Sequence, residues 1–211
     1  MGTFKQGILG GFSGKVGPVI GSSWKGKAVM RAIALSYNDA NSEAQQQQRA
    51  KFGLVSKFIS SVTGFTSVGF KSQAVGMTEA NAAMMFNLPE VISGTWPSYT
   101  IDYSKALLSK GNVDLPYAPQ ASVTGTDLEL SWTDNSGIGN ALSSDYINVI
   151  AYNKDRNQSV CDIDSKSRNA RSATLSLPAT WTGDTIHVYL AAHRNGSAET
   201  SNSIYLGNFT I

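Results

Sequence analysis

Short segments in the C-terminal half of the chain alternate apolar with polar residues, and this pattern constrains the fold more than any other feature. Leu128, Leu130 and Trp132 alternate with charged or hydroxyl-bearing residues, and residues 185–193 repeat the pattern. Because successive side chains of a β-strand point to opposite faces, the alternation predicts strands with one buried face. Seven such segments are predicted, at residues 121–123, 127–132, 145–153, 160–163, 173–177, 185–193 and 203–211.

Seven short strands separated by turn residues are typical of two antiparallel sheets packed as a sandwich. Pro116 and Pro119 mark the boundary before this region. We therefore predict a mixed α/β region with a glycine-rich arm over residues 1–117, and an immunoglobulin- or fibronectin III-like β-sandwich over residues 118–211. The chain as a whole is predicted to be mainly β with a small helical pair. The sandwich should fold alone, with Trp132 in its core.

The glycine-rich N-terminal arm contains a predicted β-hairpin. Residues 19–24 and 27–33 read as two strands joined around Gly26. Glycines at positions 10, 11, 14 and 17 weaken any independent fold of this arm. We therefore expect the arm to become ordered against the rest of the chain or against a neighbouring subunit.

Two helices are predicted between the arm and the sandwich. Ser42 and Gln45 form a capping-box pattern, and Gly64 is the predicted end of the first helix. The second helix is predicted to begin after Thr78 and to end before Pro89. The apolar faces expected to be buried comprise Leu54, Val55, Phe58, Ile59 and Val62 in the first helix, and Ala82, Ala83, Met85 and Leu88 in the second.

Charge is distributed unevenly along the chain. Residues 1–74 carry nine Lys or Arg against two acidic residues, a net charge of +7, so the remainder carries −5 within the total of +2. This separation favours head-to-tail assembly, and it equally suits docking of the basic region on an acidic protein or on nucleic acid. Because the basic residues are scattered singly, a solvated surface is the plainer interpretation, and nucleic acid is not the expected partner.

The strongest match to a chemical motif is Gly21–Lys27, which has the spacing of a phosphate-binding loop up to its lysine. Ala28 occupies the position where such a loop needs Ser or Thr to hold magnesium, and a strand follows where a helix is required. A hairpin turn therefore explains this segment better than nucleotide binding does.

The remaining candidates for chemistry are two histidines and a pair of aspartates. His187 and His193, six residues apart on one strand, would lie about 20 Å apart at about 3.3 Å per residue, too far to share a metal ion. A hydrolase triad could be assembled from Asp184, His187 and a serine, but no Gly-x-Ser-x-Gly elbow supports it. Outward positions on the sandwich are expected for both histidines.

Asp162 and Asp164 lack the glycine and distal glutamate of a calcium loop, so a polar turn is favoured there. Cys161 is the only cysteine, which excludes an intramolecular disulfide and a cysteine zinc site. No catalytic residue, cofactor-binding residue or metal ligand is assigned, and no cofactor is predicted. The first ten residues are not expected to form a signal peptide, because they contain no long apolar run, and no apolar run in the sequence is long enough to span a membrane.

The stretch Ser13–Gly26 is similar to the opening of a Bacteroidota family of unknown function. The similarity extends to Gln45, Arg49 and Phe52, to residues 81–83 and 101–104, and to residues 203–205. No catalytic residue is implied by this resemblance. The order of a glycine-rich hairpin, an Asn-x-x-x-Gln-x-x-x-Arg-x-x-Phe helix over residues 41–52 and a terminal fibronectin-like domain also resembles small structural proteins of tailed bacteriophages.

These resemblances imply a non-enzymatic structural or assembly protein, a virion component of a bacteriophage or prophage serving as a head, neck or tail accessory subunit. Its expected partners are proteins, either copies of itself or other virion proteins. The protein is expected to form a homo-oligomer, and no association with a membrane is expected. Its expected location is the virion, or the host cytoplasm before assembly. The alternative is a cellular adhesion or carbohydrate-binding module, which would use aromatic residues on one face or loop of the sandwich.

Overall fold

The structure is a computed structural model of the 211-residue chain, and it describes residues 2–4, 10–24, 26–34, 36 and 39–211. The chain divides into two compact units, which we call the N-terminal unit, Met1–Ser42, and the main unit, Glu43–Ile211.

The N-terminal unit is a four-stranded antiparallel sheet. Its strands are β1 (Gly2–Phe4), β2 (Phe12–Val16), β3 (Val19–Trp24) and β4 (Lys27–Ala32), and they lie side by side in chain order. The predicted hairpin is confirmed, because Trp24 pairs with Lys27 around Gly26, whose φ of 77° is readily adopted only by glycine. The segment with phosphate-loop spacing is therefore this hairpin, and a strand follows it.

The three helices of the main unit are α1 (Glu43–Ser61), α2 (Thr63–Gly69) and α3 (Glu79–Asn87). The predicted apolar face of the first helix is confirmed. Leu54 is half-buried, and the other predicted residues, Val55, Phe58, Ile59 and Val62, are buried. The predicted cap of α3 is also confirmed, since the Thr78 hydroxyl accepts a hydrogen bond from the Asn81 amide at 3.3 Å. Within the described residues, no helix combines the length and the hydropathy that a membrane span requires.

Two details of the helix prediction are wrong. Gly64 does not end the helical region, because it lies inside α2, where burial of Phe65, Thr66 and Gly69 holds a further two turns. Met85 does not belong to the core, because its side chain is 54% exposed. The buried polar residue Asn87 lies on the inner side of α3 and bonds to both backbone groups of Leu107 at 2.7 and 2.8 Å.

A small hairpin follows the helices and leads into the C-terminal region. It consists of β5 (Ile92–Thr95) and β6 (Ser98–Ile101), and a single 3-10 turn at Tyr103–Lys105 follows it. The chain leaves the second strand of this hairpin after Ile101.

The C-terminal region is a sandwich of two antiparallel sheets. The seven predicted strands are all present, as β7 (Tyr117–Thr124), β8 (Asp127–Thr133), β9 (Tyr146–Asn153), β10 (Gln158–Asp162), β11 (Ser172–Ser176), β12 (Thr185–His193) and β13 (Ile204–Thr210). One sheet has the order β11-β8-β7 and the other has the order β10-β9-β12-β13. This arrangement confirms the predicted immunoglobulin- or fibronectin III-like β-sandwich.

The main unit contains two hydrophobic cores. The first lies between the two sheets and includes Trp132, as predicted, together with Trp181 and Ile186. The second joins α1, α2 and α3 to the outer face of the larger sheet, where Ile150 and Tyr189 are completely buried. The boundary predicted between residues 117 and 118 therefore lies inside one compact unit, and independent folding of residues 118–211 stays a prediction.

Candidate functional site

Exposed apolar side chains are the main feature of the N-terminal unit. Every residue of β4 is exposed, including Val29 and Met30, and Val16 on β2 is also exposed. Gly21 is the one buried residue among those described between residues 10 and 42. Because burial of apolar surface is the dominant stabilising contribution in folding, the residues of this sheet described from position 10 onward lack the usual source of stability.

An open groove of about 720 Å³ lies between α1, α3 and the β5–β6 hairpin in the main unit. Phe52 and Met85 line it and are each 54% exposed. The Lys51 ammonium lies 4.9 Å from the centre of the Tyr99 ring, and the Tyr99 hydroxyl donates a hydrogen bond to Gln47 Oε1 at 3.3 Å. The groove is thus lined by both apolar and polar side chains, with one cation at Lys51, and Tyr99 is held in place on its wall.

A cluster of aromatic side chains centres on His187, where the second core meets the outer face of the larger sheet. The Tyr103 ring stacks on the imidazole with centroids 4.1 Å apart, and the Tyr205 hydroxyl lies 2.9 Å from Nδ1. The Tyr189 hydroxyl donates to the carbonyl oxygen of Tyr103 at 2.7 Å, which fixes the backbone beside that ring. The cluster therefore holds the imidazole rigidly in one orientation.

Burial, and secondarily the positive charge of Lys154, lowers the pKa of His187 to about 4. The imidazole is consequently neutral near pH 7, and one of its two nitrogens carries a proton. Burial also raises the pKa of Tyr103 and Tyr189, so both phenols stay protonated and act as hydrogen-bond donors.

His187 lines a cavity of about 470 Å³, together with Leu54, Tyr99, Thr100, Ile101, Tyr103 and Lys154; we call it the His187 cavity. The His187 side chain is only 8% exposed, yet no described protein group forms a hydrogen bond with its Nε2 atom. A buried polar atom without a partner costs about 1–3 kcal/mol. Nε2 has almost no accessible surface, so this cost belongs to the packed cluster and the nitrogen does not open onto the cavity.

His187 takes the predicted outward position on the sandwich, but the outer face of the sheet is covered there. The residue does point away from the core between the sheets, but the helices and the Tyr103 turn cover that face and bury the side chain. His193 is half-buried at the end of β12, where Nδ1 lies 2.6 Å from Asp164 Oδ1 and Nε2 lies 2.9 Å from the Ser197 carbonyl oxygen.

The other candidate residues are engaged in structural contacts. Asp184 accepts hydrogen bonds from Asn153 and Arg156 rather than from His187, so the triad considered above does not assemble. Asp162 accepts a hydrogen bond from the Ser165 hydroxyl, as expected of a polar turn. Among the described residues, no three His, Cys, Asp or Glu side chains come together in a group that could hold a metal ion.

A buried ion-pair network, which the sequence did not indicate, holds the loops at one end of the sandwich. Arg168 and Asp145 are both completely buried and lie 3.2 Å apart, and Arg194 Nε approaches the other Asp145 oxygen at 2.9 Å. Arg168 also donates to Asn135 and to the carbonyl oxygens of Asp114 and Leu142. With so many of its donors satisfied, the guanidinium serves the structure of these loops.

These features define a fibronectin III-like sandwich whose larger sheet is covered by a helical layer. The chain belongs to a family of unknown function, DUF6266, whose model matches residues 11–207. This confirms the similarity to a family of unknown function, while the likeness to bacteriophage proteins stays a prediction.

No curated protein matches the chain. Among solved structures, the chain is similar to the fn3 domain of human collagen alpha-1(XX) chain, with 18% identity and a TM-score of 0.31. That match covers 48% of this chain and 86% of the collagen domain.

Proposed function

We propose that the protein is a non-enzymatic assembly subunit whose N-terminal sheet docks on the main unit of a neighbouring copy. The observation that carries this proposal is the exposure of all six residues of β4, an edge strand of a sheet that has no apolar core among its described residues. Exposed edges and contiguous apolar surface are typical of protein interaction sites. Docking would bury this exposed surface and thereby stabilise the sheet.

Charge supports the main unit of another copy as the surface on which the sheet docks. Residues 1–42 carry five basic residues and one acidic residue, a net charge of +4, which leaves −2 for residues 43–211. Opposite charges guide docking and favour one orientation. Pairing β4 with β4 of a second copy would instead bring Lys27 and Arg31 of both chains onto one ladder, where like charges repel.

A contact between different surfaces of identical subunits repeats from copy to copy, giving a closed ring or an open filament. The larger assembly that we propose is a bacteriophage or prophage virion, with this protein as a head, neck or tail accessory subunit. The support for this finer proposal is the order of hairpin, helix and terminal sandwich in the sequence.

The proposal is tested by deleting residues 1–42 and comparing the mass in solution with that of the intact chain, by light scattering after gel filtration. We expect the intact chain to form oligomers and the deletion variant to be a monomer. Since exposed charges are screened over about 8–10 Å at moderate salt, the intact oligomer should weaken as salt rises. Incorporation of both proteins into particles tests the virion assignment separately.

A charge-reversal pair distinguishes docking by the sheet from a general charge effect. Lys27→Glu with Arg31→Glu should abolish oligomer formation, whereas Lys166→Glu with Arg171→Glu, an equal change on the sandwich, should leave it intact. If the deletion variant has the same oligomeric mass as the intact chain, the sheet is not the assembly surface. A loss of stability without a change in mass would equally contradict the proposal, because it indicates packing within one chain.

A further inference from the structure

Exposed apolar side chains of the main unit converge in the groove between α1, α3 and the β5–β6 hairpin. Phe52 enters the groove from α1 and Met85 from α3, and each is 54% exposed. Met84, Leu88 and Ile92 also line it. Single exposed apolar residues are normal on a protein surface, whereas apolar side chains that share a concave surface are typical of interaction sites.

The tip of the β3–β4 hairpin is a convex counterpart to this groove. Trp24 is the last residue of β3, it pairs with Lys27 across the turn, and it is 63% exposed. Tryptophan is enriched among the residues that dominate binding energy, because its large ring fills a pocket on the partner. The hairpin therefore presents an anchor residue at its projecting end.

The side chains of the groove suit an indole ring. Met84 and Met85 are flexible thioethers, which adapt to the shape of a neighbouring group and pack favourably against aromatic rings. Gln48 and Asn81 are exposed and line the same groove. Their amide oxygens can accept a hydrogen bond from the indole N–H, which is a donor only.

Charge distinguishes the two surfaces and favours their contact. Residues 19–32, which form the β3–β4 hairpin, contain three basic residues and no acidic residue. Residues 72–104, which include α3 and the β5–β6 hairpin, contain three acidic residues and no Lys or Arg. Glu79 begins α3 and Glu90 follows its end, while Lys51 belongs to α1. Opposite charges fix orientation, so the basic hairpin should lie toward the α3 side of the groove.

We propose that this groove receives the tip of the β3–β4 hairpin of a neighbouring copy, with the Trp24 ring of that copy between Phe52 and Met85. The basic side chains of the docked hairpin then face the acidic residues at the two ends of α3. The inference rests on the docking of the N-terminal sheet proposed above, and it names the surface that receives the sheet. Because each copy has one hairpin and one groove, the contact joins copies head to tail.

The first test compares association of full-length variants, by light scattering after gel filtration over a range of protein concentrations. Trp24→Ala and Met85→Glu should each weaken association about tenfold or more, as loss of an anchor contact does. Tyr117→Ala and Ile138→Glu are matched controls at side chains that are 50% and 53% exposed elsewhere on the main unit, and both should associate as the parent does. Met85→Glu alone stays decisive if Trp24→Ala disturbs the N-terminal sheet.

Mixing the two variants tests whether the hairpin and the groove meet across copies. Trp24→Ala keeps an intact groove and Met85→Glu keeps an intact hairpin. An equimolar mixture should therefore form a heterodimer through a single contact, at concentrations where each variant alone is a monomer. The absence of a heterodimer would overturn the proposal, because it would show that these two residues do not belong to one contact between copies.

A charge exchange tests the orientation of the hairpin. Glu79→Lys with Glu90→Lys should weaken association about tenfold or more, and it should restore association when combined with the charge reversal of β4 described above. Glu129→Lys with Glu199→Lys, an equal change at exposed residues of the sandwich, should not restore it. Restoration by both pairs, or by neither, would overturn the contact with α3.

The outcomes separate the groove from the docking of the sheet as such. If deletion of residues 1–42 abolishes the oligomer while Met85→Glu associates as the parent does, the sheet docks on another surface, and only the groove is overturned. If the intact chain is a monomer, both proposals fail.

Discussion

The two units of this protein both rely on antiparallel strands, but they differ in what stabilises them. The N-terminal sheet has a regular register from β1 to β4, yet Gly21 is its one buried residue among those described from position 10 onward. The main unit buries two hydrophobic cores, one on each side of its larger sheet. The two units therefore share regular strand pairing, and among the described residues only the main unit adds the covered apolar face that stable folding needs.

The largest expected effect comes from removing the helical cover of the larger sheet. Residues 118–211 retain all seven strands, with β7 shorter by Tyr117, and the core between the sheets except Val113 and Leu115, so we expect β-type circular dichroism and a cooperative transition. Their free energy of unfolding should be on the order of 5 kcal/mol below that of residues 43–211, because Ile150, Tyr152, Tyr189 and Ala191 lose their apolar contacts. Denaturant unfolding of both fragments measures this difference.

Equal stability of the two fragments would show that the helices add nothing to the sandwich. A helical spectrum from residues 118–211, or the lack of any transition, would instead contradict the sandwich as an independently folding region.

A single-residue comparison between the units is expected to give the next largest effect. Trp132 is 5% exposed between the two sheets, and its indole donates to the Arg168 carbonyl oxygen at 2.7 Å. Trp132→Ala should lower the free energy of unfolding by about 3–5 kcal/mol, as large core truncations do. Met30, on β4, is 72% exposed, so Met30→Ala should change the free energy of unfolding by no more than about 0.5 kcal/mol.

Both variants are measured by denaturant unfolding of the full chain under conditions in which it is monomeric. A large effect of Met30→Ala under those conditions would show that the N-terminal sheet has a core of its own, and the contrast between the two units would fail.

The smallest expected effect concerns the second core and depends on pH. Because the pKa of His187 falls from an ordinary 6.5 to about 4 on folding, the unfolded chain binds a proton more readily than the folded one. Stability is therefore complete above about pH 6.5 and declines as pH falls toward 4. Between pH 7.5 and 5 this histidine should account for a loss of no more than about 2 kcal/mol, because solvent near the ring reduces the effect.

The measurement compares unfolding of the parent and of His187→Phe at several pH values. The variant lacks the titrating group, so its stability should decline less over the same interval, while the carboxylates contribute equally to both proteins. Parallel pH profiles would mean that His187 is accessible enough to be protonated in the folded state.

Local patterns in the sequence were sufficient to predict most of the secondary structure. Alternation located all seven strands of the sandwich within a few residues, and the 3.6-residue period identified the buried face of α1. Gly26 and Thr78 were recognised because a tight turn and a helix cap depend on one residue and its immediate neighbours.

Predictions failed where a residue's role depends on distant parts of the chain. Met85 fits the apolar period of α3 but faces the open groove, and Gly64 continues a helix because Phe65 finds a buried position. The pairing of Arg168 with Asp145 joins residues 23 apart, and no local pattern marks either residue as buried.

The sequence by itself determined most of the elements of this protein, because strand alternation, helical period and turn preference are properties of consecutive residues. Only the tertiary structure decided that the outer face of β9 and β12 is covered by helices. That packing turns His187, which the strand pattern places on an outward face, into a buried imidazole beside a cavity. Burial depends on what the rest of the chain places over a residue, and this information is absent from the residue's own neighbourhood in the sequence.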